Sequence, residues 1–130
     1  MNNNPSIAVS WGELIDKITI LEIKSERLTS KPALENVRRE LSKLVNIADA
    51  AQGLEPKLET LKAELKRVNE TLWQIEDDIR AKEAERTFDQ AFIALARAVY
   101  HNNDKRGVLK QQINALLKSD IVEEKQYSQY

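Results

Sequence analysis

Residues 58–79, LETLKAELKRVNETLWQIEDDI, decide the fold of this 130-residue chain. Apolar side chains recur in this stretch at alternating intervals of three and four, namely at Leu58, Leu61, Leu65, Val68, Leu72, Ile75 and Ile79. That spacing places them on one side of an α-helix and is typical of coiled-coil packing. Because Pro56 suits a first helical turn after Glu55, the pattern predicts a helix of about 30 residues and roughly 45 Å.

A fourth helix is expected to fold back along this third one. The apolar pattern is reset around residues 86–88, where Thr87 can cap a helix that starts at Phe88. Apolar positions then continue across a polar interval, although Gly107 costs about 1 kcal/mol relative to alanine in a helix interior. The stripe consists of Phe88, Phe92, Leu95, Val99, Val108 or Leu109, Ile113, Leu116 and Leu117. We therefore predict one long helix that forms an antiparallel, coiled-coil-like hairpin with the third.

Two shorter helices precede the hairpin. Ser10 and Glu13 have the spacing of a reciprocal capping box, so the first helix should begin directly after Ser10. Apolar residues surround this helix, which predicts that it is sandwiched between other helices. The second helix should begin near Pro32, carry a single apolar seam and end near residues 52–53.

These elements predict an all-α protein, a four-helix up-down bundle in which helices 3 and 4 form the long hairpin. Three glycines, three prolines and a charged fraction of 32% also favour helix over sheet. We expect a single domain over residues 1–130, with an N-terminal arm at residues 1–9. A C-terminal tail at residues 119–130 should be anchored by Ile121 and Val122. Since the hairpin outruns the first two helices, its uncovered apolar seam predicts a homodimer.

Composition argues against several functional classes. A net charge of -1 gives no basic excess, so nucleic acid is not an expected partner. The absence of cysteine excludes disulfides and thiolate catalysis. Residues 1–5 lack signal-peptide features, and no stretch approaches the ~20 apolar residues of a membrane span, so we expect a cytoplasmic protein. We also predict no cofactor and no metal, because His101, the only histidine, lacks the paired spacing of a zinc site.

Reactive side-chain types crowd together in residues 97–106 of the fourth helix. If the apolar stripe continues inward, Asn103 and Arg106 point into the bundle opposite residues 68–72, where buried polar groups need partners. Two interpretations stay open: a pocket that holds an anion, or a hydrogen-bonded layer that fixes helix register. The candidate ligand-binding residues of this predicted layer between helices 3 and 4 are Asp16, Asp77, Arg97, Tyr100, Asn103 and Arg106.

Five stretches of the chain together are similar to one protein family. They are GELIDKITILEIK at 12–24, LWQIEDDIR at 72–80, FIALARAVY at 92–100, NDKR at 103–106 and VEEK at 122–125. They resemble a family of small bacterial all-helical proteins that is catalogued only as a domain of unknown function. The resemblance covers nearly the whole chain, implies a helical fold and assigns no catalytic residue.

The function expected from the sequence is therefore that of a non-enzymatic, self-associating accessory or interaction protein. The alternative is a small-molecule-binding protein or an enzyme that holds an anionic ligand in the predicted polar layer. A concave cavity with converging polar groups would distinguish the alternative.

Overall fold

In the computed structural model, which describes residues 3–51 and 56–130, the chain forms four α-helices and the predicted all-α bundle is confirmed. The helices are α1 (Trp11–Arg27), α2 (Lys31–Ala51), α3 (Pro56–Ala84) and α4 (Gln90–Leu116). Helices α3 and α4 pack closely along each other as a hairpin, and α4 runs unbroken through Gly107. The predicted end of the second helix at residues 52–53 lies outside the described residues.

Helix α1 lies at the centre of the bundle and contacts each of the other three helices. Ile15, Ile18 and Ile23 are buried around its circumference, which confirms that the helix is sandwiched. The main core joins it to α2 and to the open end of the hairpin through Ile15, Ile18, Ala48, Leu58, Leu61, Leu65, Leu109 and Ile113. Any polar side chain on α1 that faces α3 or α4 is therefore removed from water.

The start of α1 follows the sequence prediction only in part. The Ser10 hydroxyl accepts a hydrogen bond from the Glu13 amide at 3.1 Å, as an N-cap should. The Glu13 carboxylate, however, accepts a hydrogen bond from Lys110 of α4 at 2.8 Å. The Glu13 carboxylate, which the predicted capping box assigns to the start of its own helix, thus joins α1 to α4 instead.

The loop between α3 and α4 corrects the predicted cap. Thr87 is not the N-cap of α4, because its amide donates to the Lys82 carbonyl in a Schellman motif that ends α3. Asp89 caps the helix instead, since its carboxylate accepts from the Phe92 amide at 3.0 Å and from the Lys82 ammonium at 3.1 Å. Helix α4 consequently begins at Gln90 and not at Phe88.

The far end of the hairpin has little cover. Helix α1 ends beside Trp73, where the Arg27 guanidinium lies 5.9 Å from the indole centroid. From residue 76 to residue 108 no residue is fully buried. The buried residues of α3 all precede this segment, and those of α4 all follow it. We call residues 76–99 the hairpin end.

After α4, residues 119–130 form a non-helical C-terminal tail. The predicted anchors Ile121 and Val122 are about half exposed, so that prediction is wrong. Polar contacts attach the tail instead, through Ser119, Glu123 and Tyr130. None of the described helices is both long and apolar enough to cross a membrane.

Candidate functional site

The polar interval of α4 is directed at α1. The Arg106 guanidinium donates to both carboxylate oxygens of Asp16, with Nε–Oδ1 and Nη2–Oδ2 distances of 2.9 and 2.5 Å. Asp16 is only 1% exposed. The sequence placed this polar layer between helices 3 and 4, which is incomplete, because α1 crosses the open end of the hairpin and supplies the carboxylate. The layer therefore joins three helices.

Asn69 of α3 and Thr19 of α1 complete the arrangement. The Asn69 amide nitrogen donates to Asp16 Oδ1 and to Thr19 Oγ1, each at 2.9 Å, and the Thr19 hydroxyl donates to the Asp16 carbonyl at 2.7 Å. We call Asp16, Thr19, Asn69 and Arg106 the buried polar cluster. The Asp16 carboxylate accepts three hydrogen bonds there, which satisfies a buried anion. Sequence reasoning missed Asn69, although its position four residues after Leu65 marks it as a polar residue on the apolar side of α3.

Lys110 forms a second ionic contact one turn further along α4. Its ammonium donates to Glu13 of α1 at 2.8 Å and to Glu123 of the C-terminal tail at 2.7 Å, and its side chain is 7% exposed. Burial lowers the pKa of Lys110, but the hydrogen bonds to Glu123 and Glu13 outweigh it and the pKa is raised. The hydrogen bond from Lys110 lowers the pKa of Glu123, and the hydrogen bond to Asp16 raises the pKa of Arg106.

The first turn of α1 packs directly against the end of α4. The Gly12 amide donates to the Asn114 side-chain oxygen at 2.6 Å, and the Trp11 amide donates to the Ser119 hydroxyl at 3.2 Å. These side chains satisfy first-turn amides that have no partner within the helix. A Cβ atom on Gly12 would lie 2.5 Å from the Lys110 carbonyl oxygen, so this close approach requires glycine.

The structure brings two of the six predicted ligand-binding residues together, in the ion pair of the buried polar cluster. The other four lie elsewhere: Asp77 is exposed on the hairpin end, and Arg97 is exposed and donates to the Tyr100 hydroxyl at 3.3 Å. Tyr100 is also exposed, and Asn103 is half-buried beside the C-terminal tail. The ligand-binding role of these residues stays a prediction.

Two open grooves flank α4. The first, of about 660 Å³, lies between α4 and the C-terminal tail and is lined by Tyr100, Asn103, Gly107, Gln111, Lys125 and Tyr127, among others. The second, of about 680 Å³, lies between α3 and α4 beside His101. The Tyr130 side chain reaches both grooves, and its ring centroid lies 4.7 Å from that of His101. The tail therefore forms one wall of the first groove and contributes Tyr130 to the second.

The charges of the site are already paired within the chain. Arg106 is neutralised by Asp16, and Lys110 lies between two carboxylates. Three carboxylates thus face two cations, so an added anion would have to displace one of them. Within residues 3–51 and 56–130, no group of three or more histidine, aspartate or glutamate side chains could hold a metal ion. The arrangement is suited to fixing α1, α3, α4 and the tail relative to one another.

Comparison with known proteins gives one match. The sequence model of a family described as a family of unknown function (DUF6165) matches residues 6–130. This match confirms the resemblance drawn from the five sequence stretches. No curated protein and no solved structure matches the chain.

Proposed function

This chain belongs to the family of unknown function that matches residues 6–130, and we propose that it is a non-enzymatic accessory protein that acts by self-association. The observation that carries the proposal is the hairpin end, where α3 and α4 pack along each other without any fully buried residue. Apolar side chains are nevertheless frequent there, at Ile79, Phe88, Phe92, Ile93, Leu95 and Val99.

The exposed apolar side chains of the hairpin end form a strip at the start of α4 and in the loop before it. Phe88 and Ile93 are 56% and 46% exposed, and the Phe88 ring packs edge-to-face on Phe92 with centroids 5.1 Å apart. Exposed apolar side chains grouped in this way mark a surface suited to protein contacts. A second copy placed against the same strip would cover both surfaces at once.

Charges beside the strip are compatible with a two-fold contact. Asp77 on α3 and Arg97 on α4 are both exposed, and neither forms an ion pair among the described residues. In a two-fold interface, a contact between residue i and residue j occurs twice. If Asp77 of one copy faces Arg97 of the other, the symmetry forms two such pairs, and their complementary charge favours association.

The alternative, binding of an anionic ligand in the buried polar cluster, has less support. Arg106 within this cluster and Lys110 beside it are both paired with carboxylates. Anion binding would require breaking a contact that offsets the cost of burying Asp16.

The test compares two exposed isoleucines by sedimentation equilibrium. Ile93 lies on the hairpin end, and Ile47 is 56% exposed on α2. We expect a dimer for the wild-type chain and an approximately tenfold weaker dimer for Ile93→Ser, since the two copies each bury the exposed half of one isoleucine side chain, together worth about 1.5 kcal/mol. Ile47→Ser should leave the dimer unchanged. A monomeric wild type at micromolar concentration, or equal effects of both substitutions, would contradict the proposal.

A further inference from the structure

The C-terminal tail runs back along α4 and pairs with it at several points. Glu123 contacts Lys110 at 2.7 Å, and the Tyr130 ring lies against Tyr100 and His101 with centroid distances of 5.1 and 4.7 Å. Residues later in the tail therefore contact residues earlier in α4, so the two segments are antiparallel. The tail matches this groove in charge as well as in shape, because its Glu123 meets a buried ammonium group.

The tail buries little of its surface. Tyr127 and Tyr130 are 74% and 72% exposed, and every residue from 120 to 130 is exposed. Segments with little buried apolar area and few hydrogen bonds open at a lower free-energy cost than the whole protein unfolds. The tail can therefore leave the groove while the bundle stays folded.

The turn that connects the tail to α4 is strained. Lys118 has a φ of 54°, in the left-handed region that disfavours residues other than glycine. Its amide donates to the Ala115 carbonyl, and the Ser119 amide donates to the Asn114 carbonyl, which makes a tight Schellman turn. Opening this turn releases the strain at Lys118. Short hinges under strain favour the exchange of a segment between identical chains.

We propose that two copies of this chain exchange their C-terminal tails, so that residues 119–130 of each copy occupy the α4 groove of the other. A second copy is the occupant that the groove already fits, since its tail would meet the same Lys110 ammonium and the same Asp104 carboxylate, which accepts from the Tyr130 hydroxyl. The exchange replaces each contact by an identical one and so has a small energetic cost. It extends the proposed self-association but uses a surface other than the hairpin end.

The experiment uses the ion pair between Lys110 and Glu123 as a cross-linking site. Full-length chains labelled with ¹⁴N and ¹⁵N are unfolded, mixed in equal amounts and refolded together. A carbodiimide then activates the Glu123 carboxylate, and the Lys110 amine attacks it to form an amide with loss of the activating group as a urea. Mass spectrometry of the digest distinguishes cross-links within one chain from those between chains. Exchange predicts Lys110–Glu123 peptides of mixed isotope as abundant as those of a single isotope.

A matched pair of substitutions controls the chemistry. Glu123→Gln should abolish the mixed product, whereas Glu124→Gln, at an exposed neighbour, should retain it. A Lys110–Glu123 product confined to single-isotope peptides, or no such product at all, would overturn the proposed exchange. This result is separate from the sedimentation test, because the effect of Ile93→Ser concerns the hairpin end and the mixed-isotope peptide concerns the tail.

Discussion

Asp16 illustrates how a single charged residue can fix the arrangement of three helices. A carboxylate buried at 1% exposure is costly unless it is paired and hydrogen-bonded. Here α4 supplies the guanidinium and α3 supplies the amide that satisfy it. A shift of any of the three helices would leave Asp16 partly unsatisfied, so the contact selects one register.

We predict that Arg106→Met destabilises the protein by about 3 kcal/mol, because it leaves the Asp16 carboxylate buried without its cation. Urea unfolding followed by circular dichroism measures the loss. Arg80→Met is the matched control, since Arg80 forms an exposed ion pair with Glu76 at 3.1 Å and should lose less than about 0.5 kcal/mol. Equal losses of unfolding free energy in the two variants would mean that the buried pair of Arg106 and Asp16 stabilises the fold no more than an exposed ion pair does.

The two helical glycines should respond in opposite directions to alanine. A Cβ atom at Gly12 would clash with the Lys110 backbone, so Gly12→Ala should cost about 1–3 kcal/mol. A Cβ atom at Gly107 would meet only the flexible Lys125 side chain, at 3.5 Å. Gly107→Ala should therefore stabilise α4 by about 1 kcal/mol through helix propensity. Thermal melting of both variants tests this, and a shift of the same sign in both would be contrary to the described packing.

Sequence reasoning at the residue scale placed Arg106 inside the bundle but did not identify its partners, and its other predicted inward residue, Asn103, is half-buried beside the tail. The phase of the α4 stripe directed Arg106 into the bundle, and Asp16 was among the candidates. Their contact depends on how α1 crosses the hairpin, which local patterns do not encode. Asn69 was missed because the apolar pattern of α3 accounts for the helix without it.

At the scale of the elements, the hairpin was predictable because the heptad-like seam of α3 extends over many turns and the apolar stripe of α4 resumes after its polar interval. Its loop was not, since Thr87 and Asp89 are both acceptable caps. The choice between them depends on the Schellman turn at Arg86, a residue with a φ of 54° that no local sequence preference indicates. Glycine is the residue expected at such a position.

Arg86→Gly should therefore stabilise the hairpin loop by about 1 kcal/mol, because glycine adopts the left-handed conformation without the steric cost that other residues have. Arg80→Gly, in the interior of α3, should instead destabilise by about 1 kcal/mol. Equilibrium unfolding of both variants measures the difference. Destabilisation by Arg86→Gly would show that the arginine side chain stabilises the loop by more than its left-handed backbone conformation destabilises it.

The attachment of the tail to α4 should depend on pH. Because the pKa of Glu123 is lowered in the folded protein from its ordinary value of 4.5, its contribution is complete above about pH 4.5 and is lost as the pH falls through the folded value. The exposed Glu123 side chain limits this contribution to about 0.5 kcal/mol. We expect the difference in unfolding free energy between wild type and Glu123→Gln to be largest near neutral pH and to vanish in acid. A difference that grows in acid would contradict the ion pair.

At the scale of the whole molecule, the interior and the surface have different roles. The buried charged groups are satisfied within the chain and hold α1 on the hairpin. The hairpin end and the tail groove are exposed surfaces. The proposed function uses these surfaces, and in it the buried polar cluster has a structural role.

Thermal melting against phosphorylated sugars, nucleotides and carboxylates tests this division most directly, with wild type compared to Arg106→Ala and Asn103→Ala. Ligands that bind the native state raise the melting temperature. We predict no rise for the wild type, a clearly lower melting temperature for Arg106→Ala, and a value near wild type for Asn103→Ala. A ligand that raises the melting temperature of the wild type but of neither variant would contradict the account and make the buried polar cluster a binding site.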